Sequence, residues 1–103
     1  MIRSFFLGFI KIHILHHADE EKVYGLWLIE ELGRHGYDIS PGTLYPILHS
    51  LEKDKLLESH KEIISGKVRK YYKITREGRK ALKAAKIKIK ELVDEVMGIG
   101  GES

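Results

Sequence analysis

The residues that could do chemistry in this chain begin with a group of histidines near its start. His13 and His17 are four residues apart, with His16 and Asp19 beside them, and an i, i+4 histidine pair on a helix can hold a metal ion. Two histidines without a third assured ligand are more often surface or interface residues. We therefore assign no metal site and expect no cofactor, and we keep metal binding as an alternative.

An enzymatic function is not supported by the residue types or their spacing. The 103 residues include no cysteine, which excludes cysteine nucleophiles, disulfides and zinc–thiolate sites. No nucleophile with a base and no carboxylate pair is arranged as a catalytic site needs in so short a chain. We expect a protein that is not an enzyme.

A second group of polar residues lies in the stretch SPGTLYPILHSLE, residues 40–52. Ser40 and Pro41 suit the first positions of a helix, and Ser40 can accept a hydrogen bond from an early backbone N–H. Apolar residues recur every three or four positions, which predicts a buried face. These are Leu44, Ile47, Leu48 and Leu51.

The opposite face of this predicted helix is small and polar. Gly42 and Pro46 leave room near its start, so the helix can lie close against something large. The polar groups on or beside this face are Ser40, Thr43, Tyr45 and His49. The exposed N–H groups at the helix start also favour a phosphate.

The charges are strongly segregated. Eleven Lys or Arg residues lie between 67 and 90 against one acid, Glu77, although the whole chain carries only +3. This pattern is typical of a basic face that meets a polyanion. Lys67, Arg69 and Lys70 fall at or near the tip of a predicted hairpin, where long cations can reach phosphates.

The predicted elements have the order helix, helix, helix, hairpin, long helix. The helices cover 4–17, 22–34, 40–53 and about 75–97, the strands 56–63 and 67–74. This is the order of a winged helix-turn-helix, in which the third helix enters the DNA major groove and the hairpin reaches the backbone. We expect a mainly α fold with a small β-hairpin wing and additional helices at both ends.

The length predicts a single domain over 1–103. Its parts are a first helix with a DNA-binding core over about 4–75, a last helix over about 75–97 and a flexible tail over 98–103. No signal-peptide pattern appears at the start, so we expect a cytoplasmic protein. The apolar stretch 4–15 is shorter than the ~20 residues that span a bilayer, so we expect no membrane partner.

Two stretches of the chain are SPGTLYPILHSLEKDKLLES (40–59) and GKVRKYYKITREGRKAL (66–82). Together they resemble the PadR family of bacterial and archaeal transcriptional regulators. The resemblance covers roughly 23–97 and implies a homodimer that is built from the first and last helices, binds a palindromic operator and usually represses transcription. The implied partners are double-stranded DNA and a second copy of the chain.

From the pattern and the resemblance together we predict two sets of site residues. The DNA contacts are assigned to Ser40, Thr43, Tyr45, His49, Lys67, Arg69 and Lys70. The last helix carries an apolar seam with spacings of three and four residues, which favours a partner helix. The dimer interface is assigned to Phe5, Phe6, Phe9, Ile89, Leu92 and Val96.

The chain departs from the family pattern at two points. The second helix starts with Tyr24, Gly25 and Leu26 where the family usually has His-Gly-Tyr. Some members bind aromatic ligands between tryptophans of the last helix, whereas the only tryptophan here, Trp27, lies in the second helix. A small-molecule effector is left unidentified. The alternative functions are a protein-interaction module without sequence-specific DNA binding and a metal-responsive repressor.

Overall fold

The computed structural model describes residues 2–98 and contains four helices and a three-stranded sheet in this range. In chain order the elements are α1 (Ile2–Glu20), β1 (Val23–Tyr24), α2 (Gly25–Arg34), α3 (Pro41–Lys53), β2 (Leu57–Ile64), β3 (Lys67–Ile74) and α4 (Arg76–Met97). This is the predicted order of a mainly helical winged fold. The predicted tail, apart from Gly98, lies outside the described residues.

The sheet forms the wing and is antiparallel, with β3 between β1 and β2. The hairpin turn consists of Ser65 and Gly66, whose φ angles are 52° and 80°. Two positive φ angles define the tight turn that matches the twist of paired strands. Ile64 therefore pairs with Lys67 at the tip of the wing, and Leu57 pairs with Ile74 at its base.

The core lies where α1, α2 and α3 meet the base of the sheet. All four apolar residues predicted for the inner face of α3 are buried: Leu44, Ile47, Leu48 and Leu51. They pack in one cluster with residues such as Ile14, Leu28 and Leu57. This burial holds α3 in place and leaves its opposite face open.

The start of α4 is tightly joined to this core. The Thr75 hydroxyl accepts a hydrogen bond from the Gly78 N–H at 2.9 Å and donates to the Lys55 carbonyl at 2.6 Å. A Cβ atom on Gly78 would lie 2.1 Å from the Leu56 carbonyl oxygen, so only glycine allows this close approach. Leu82 is the last fully buried residue of the helix.

Several predicted boundaries differ from the structure. The helix α1 continues to Glu20, three residues beyond its predicted end at residue 17. The second helix begins at Gly25 and not at residue 22, because Val23 and Tyr24 pair with Tyr72 and Tyr71 of β3. Backbone pairing at the sheet edge overrides the helical pattern there.

The two adjacent tyrosines of β3 are both buried. Tyr72 faces the core. Tyr71 lies on the other side of the sheet, where the His60 ring stacks on it at 5.8 Å and Lys22 lies over it at 4.5 Å. Neither ring is therefore available for stacking on a base.

The molecule is elongated, with extents of 59 × 28 × 22 Å. The 22-residue helix α4 is about 33 Å long at 1.5 Å per residue, and its second half extends beyond the core. Within residues 2–98, no helix has the length and apolar content needed to cross a membrane.

Candidate nucleic-acid interface

The helix α3 and the wing are held together by Glu52. Its carboxylate accepts a hydrogen bond from the Ser59 hydroxyl of β2 at 2.5 Å, and its other oxygen lies 3.8 Å from the Lys70 ammonium of β3. One carboxylate of α3 thus contacts both long strands. This arrangement fixes the wing relative to the exposed face of α3.

Between α3 and the wing lies an open groove with a volume of about 460 Å³. Tyr45 lines it from α3, and Lys67, Arg69 and Lys70 line it from the wing. Four of the seven predicted DNA-contacting residues therefore lie in one groove, although Tyr45 precedes the others by 22 or more positions in sequence.

The position of Tyr45 depends on a glycine at the start of α2. A Cβ atom on Gly25 would lie 2.4 Å from the Tyr45 hydroxyl oxygen and within 2.9 Å of two ring carbons. The ring therefore packs directly on the Gly25 backbone, and 48% of the Tyr45 residue surface stays exposed. Sequence reasoning missed Gly25, although a glycine beside the first turn of a helix was a usable signal.

The three wing cations that line this groove differ in their contacts. The Arg69 guanidinium lies 4.0 Å from the centre of the Tyr24 ring, a cation–π contact that holds it against the start of α2. The Lys70 ammonium is near Glu52 and 5.3 Å from the Tyr72 ring centre. Lys67 is exposed at the tip of the wing, and no ion pair forms with it among residues 2–98.

Ser40 and Thr43 lie on the other flank of α3. The Ser40 hydroxyl donates to the Thr43 hydroxyl at 3.4 Å. Ser40 occupies the N-cap position but makes no capping hydrogen bond with its side chain, so the predicted cap contact is wrong. Thr43 lines a separate groove of about 270 Å³ with Arg3 and Lys11 of α1. These two cations were missed because they precede the basic segment by more than 50 residues.

His49 is exposed on α3, one turn after Tyr45. It lines neither of these two grooves. The predicted polar face of α3 is therefore divided between a flank that meets the wing, a flank that meets α1, and His49 on the open surface.

The predicted interface residues lie on α1 and α4. Phe9 and Ile89 line an apolar groove of about 340 Å³ between the two helices, together with Leu82. Phe5 and Phe6 are exposed at the start of α1, and the Phe5 ring packs on Phe9 with a centroid distance of 4.6 Å. Farther along α4, Leu92 is 53% exposed and Val96 is 69% exposed.

The histidines of α1 meet residues that sequence reasoning did not connect with them. Nitrogen atoms of His13, His17 and His35 lie within 4.8 Å of one another. The Glu31 side chain is only 13% exposed and lies beside the rings of His17 and His35. Burial lowers the pKa of His13, and the neighbouring His35, His17 and His16 lower it further.

A helix with an open polar face beside a basic β-hairpin, both mounted on a three-helix core, defines a winged helix-turn-helix protein of the DNA-binding class. Residues 14–84 match the family model described as the transcriptional regulator PadR-like family. The chain belongs to this family and is a DNA-binding transcriptional regulator rather than an enzyme.

Relatives with names and structures support this assignment. The chain is 47% identical over 97 residues to the transcriptional regulator Rv3488 of Mycobacterium tuberculosis, covering 94% of this chain and 91% of the relative. A PadR family regulator from Eggerthella lenta has a TM-score of 0.81 at 31% identity and covers 100% of this chain and 91% of its own. A PadR-like regulator from Bacillus cereus has a TM-score of 0.81 at 35% identity, with coverages of 92% and 95%.

Proposed function

We propose that this protein is a cytoplasmic, homodimeric repressor that binds a palindromic DNA operator. The observation that carries the proposal is the groove in which Tyr45 of α3 lies opposite Lys67, Arg69 and Lys70 of the wing. In this arrangement α3 enters the major groove and the wing cations contact the adjacent phosphates. Repression is the usual activity implied by the family resemblance.

The side chains have separate roles in this proposal. Tyr45 and His49 present polar atoms to base edges from the exposed part of α3. Ser40 and Thr43, beside Arg3 and Lys11, contact the phosphate backbone on the opposite flank. Lys67, Arg69 and Lys70 contribute affinity that does not depend on base sequence.

The dimer rests on the apolar surface of α4. Exposed apolar residues recur at positions i, i+3, i+4, i+7 and i+8, which forms a stripe along one side of the helix. They are Ile89, Leu92, Val93, Val96 and Met97. A stripe of this width needs an apolar cover, and the equivalent stripe of a second chain, with Phe5 and Phe6 of α1, supplies one.

A footprint on an operator selected from random duplexes tests the DNA part of the proposal. We expect two protected half-sites on one face of the duplex, about one helical turn or 10 bp between centres. A single unpaired half-site would contradict the palindromic operator. An affinity for duplex DNA that does not fall as salt rises would instead indicate a winged module that binds a protein. A reporter promoter that overlaps the operator should lose transcription when the protein is present, and increased transcription would contradict repression.

Light scattering of the full-length protein at micromolar concentration tests the dimer. We expect the mass of two chains for the full chain, and a monomer or an aggregate after deletion of residues 84–103. A monomeric full-length protein would contradict the homodimer without affecting the assignment of the DNA-binding surface.

A further inference from the structure

The side-chain cluster at the junction of α1 and α2 has no role in the proposed DNA contacts. His13 and His17 face it from α1, and Glu31 and His35 face it from the last turn of α2 and the residue that follows. We propose that these four residues bind one first-row divalent transition metal ion, for which Zn²⁺ is the best match. The site is independent of the proposed function.

The distances within the cluster support a common ion. The Glu31 Oε2 atom lies 3.2 Å from His35 Nε2 and 3.5 Å from His17 Nε2. Ligand atoms of a tetrahedral Zn²⁺, each about 2.0–2.2 Å from the ion, are separated by about 3.3–3.6 Å. One nitrogen of each of His13, His17 and His35 lies within 4.8 Å of the others, and side-chain rotations would bring these nitrogens and the Glu31 oxygen to the separations of a tetrahedral site.

The contacts of His17 also favour a cation. His17 Nε2 is inaccessible to solvent and has no hydrogen-bond partner among residues 2–98. The other nitrogen of this ring, Nδ1, is 3.6 Å from Glu20 Oε1. When the proton lies on Nδ1 toward Glu20, the Nε2 lone pair points toward Glu31. A metal ion between the lone pair and the carboxylate gives His17 Nε2 a partner, while the other Glu31 oxygen stays paired with Arg34 at 3.2 Å. Glu20 then orients the His17 ring from outside.

The donor set selects the class of metal. Three imidazole nitrogens and one carboxylate oxygen suit Zn²⁺ and neighbouring ions such as Co²⁺ and Ni²⁺. Mg²⁺ and Ca²⁺ prefer oxygen ligands, and the chain has no cysteine for thiolate-binding ions. Exposed His35 leaves one side of the site open to solvent, which provides an entry path.

A second histidine group shares His17 and must be distinguished from the proposed site. His16, His17 and Glu20 lie within one turn of α1, and their ligand atoms are also within 4.8 Å of one another. This group has only two imidazoles, and His16 and Glu20 are exposed. The proposed site has three imidazoles from two helices and a largely buried carboxylate. Variants at His35 and His16 separate the two groups, because each residue belongs to one group only.

The test uses the full-length protein without an oligohistidine tag, stripped of metal by a chelator. Zn²⁺ is titrated in competition with a chromophoric chelator, and Co²⁺ is used as a spectroscopic probe of four-coordinate nitrogen and oxygen ligation. We expect one ion per chain. Replacing His35 by Ala should weaken Zn²⁺ binding about 100-fold or more, since loss of an outer-shell partner alone typically costs about 10–100-fold.

Matched variants complete the experiment. H60A removes an exposed wing histidine that is outside both groups and should leave Zn²⁺ affinity unchanged, as should H16A. Because H17A removes a largely buried ring, circular dichroism must confirm its fold, and E31Q provides a second ligand variant of nearly equal volume. Binding that is lost in H16A but retained in H35A would overturn the proposal, as would binding of less than one Zn²⁺ per chain or equal affinity for Mg²⁺.

Discussion

The helices α3 and α4 are both amphipathic, yet they leave different surfaces uncovered. The apolar side of α3 is fully covered by the core, and its outer side consists of small and polar residues beside a basic wing. Only the first two turns of α4 are covered, and its second half carries an apolar stripe that no described residue buries.

The chemistry of each uncovered surface indicates the kind of partner it fits. Small residues, polar groups and cations suit the grooves and phosphates of a duplex. An apolar stripe on a helix gains free energy only by removal from water, which nucleic acid cannot provide. The same helical periodicity thus stabilises the monomer in α3 and predicts an association surface in the second half of α4.

The largest expected effect is a difference in the free energy of unfolding between a substitution in α3 and one in α4. Leu48 of α3 is completely buried and Leu92 of α4 is exposed. L48A should reduce the free energy of unfolding by about 2–5 kcal/mol at every protein concentration, because it creates a cavity. L92A should have little effect on the dilute protein. Urea unfolding at two protein concentrations measures both, and equal losses at the lower concentration would remove the distinction between the helices.

The next effect concerns association. L92D places a carboxylate in the proposed apolar interface and should raise the dimer dissociation constant at least about 100-fold, or about 2.8 kcal/mol. The control A84D adds the same charge to α4 at an exposed position outside the stripe. Sedimentation equilibrium compares the two variants. An equal shift for both would mean that net charge, and not the stripe, governs association.

On α3 the sharpest change is Y45A. It should weaken operator binding by about 1–3 kcal/mol while leaving affinity for random duplex nearly unchanged. Y45F keeps the ring on Gly25 and removes only the hydroxyl, so it separates the hydrogen bond from packing. Titration of both duplexes, with circular dichroism to confirm the fold, makes the measurement. Equal proportional losses on the two duplexes would show that Tyr45 has no role in base recognition.

The smallest effect distinguishes the wing cations. K67A should weaken binding to all duplexes alike and flatten the plot of log affinity against log salt by about one unit. K70A should flatten it less, because the Lys70 ammonium is 3.8 Å from a Glu52 oxygen and already partly neutralised. Titrations at several salt concentrations give both slopes. A larger change for K70A than for K67A would reverse this assignment.

Most elements could be predicted because their signals are local. The buried face of α3 follows from four apolar residues at helical spacing, and the hairpin turn follows from Ser65 and Gly66. The strand β1 could not be predicted in this way, because two residues gain extended structure only by pairing with Tyr71 and Tyr72 far along the chain. Because β1 forms, α2 begins later than the sequence predicted.

The candidate sites were predictable to different degrees. Tyr45 and the wing cations were identified from helix phase and charge. Only the fold brings them into one groove and packs the Tyr45 ring against Gly25. Only two residues of the histidine cluster could be recognised from the sequence. His13 and His17 have a recognisable spacing, whereas Glu31 and His35 belong to another helix and the turn that follows it.

The sequence by itself determined the order of the elements, the inner face of α3 and the basic character of residues 67–90. These properties depend on backbone propensity, helical phase and charge, which neighbouring residues along the chain are enough to specify. Tertiary structure alone decided that Tyr71 is buried, that Thr43 faces α1, and that Glu31 contacts His17 and His35. Such contacts join residues from separate elements, and their geometry depends on how the helices and strands pack around the common core.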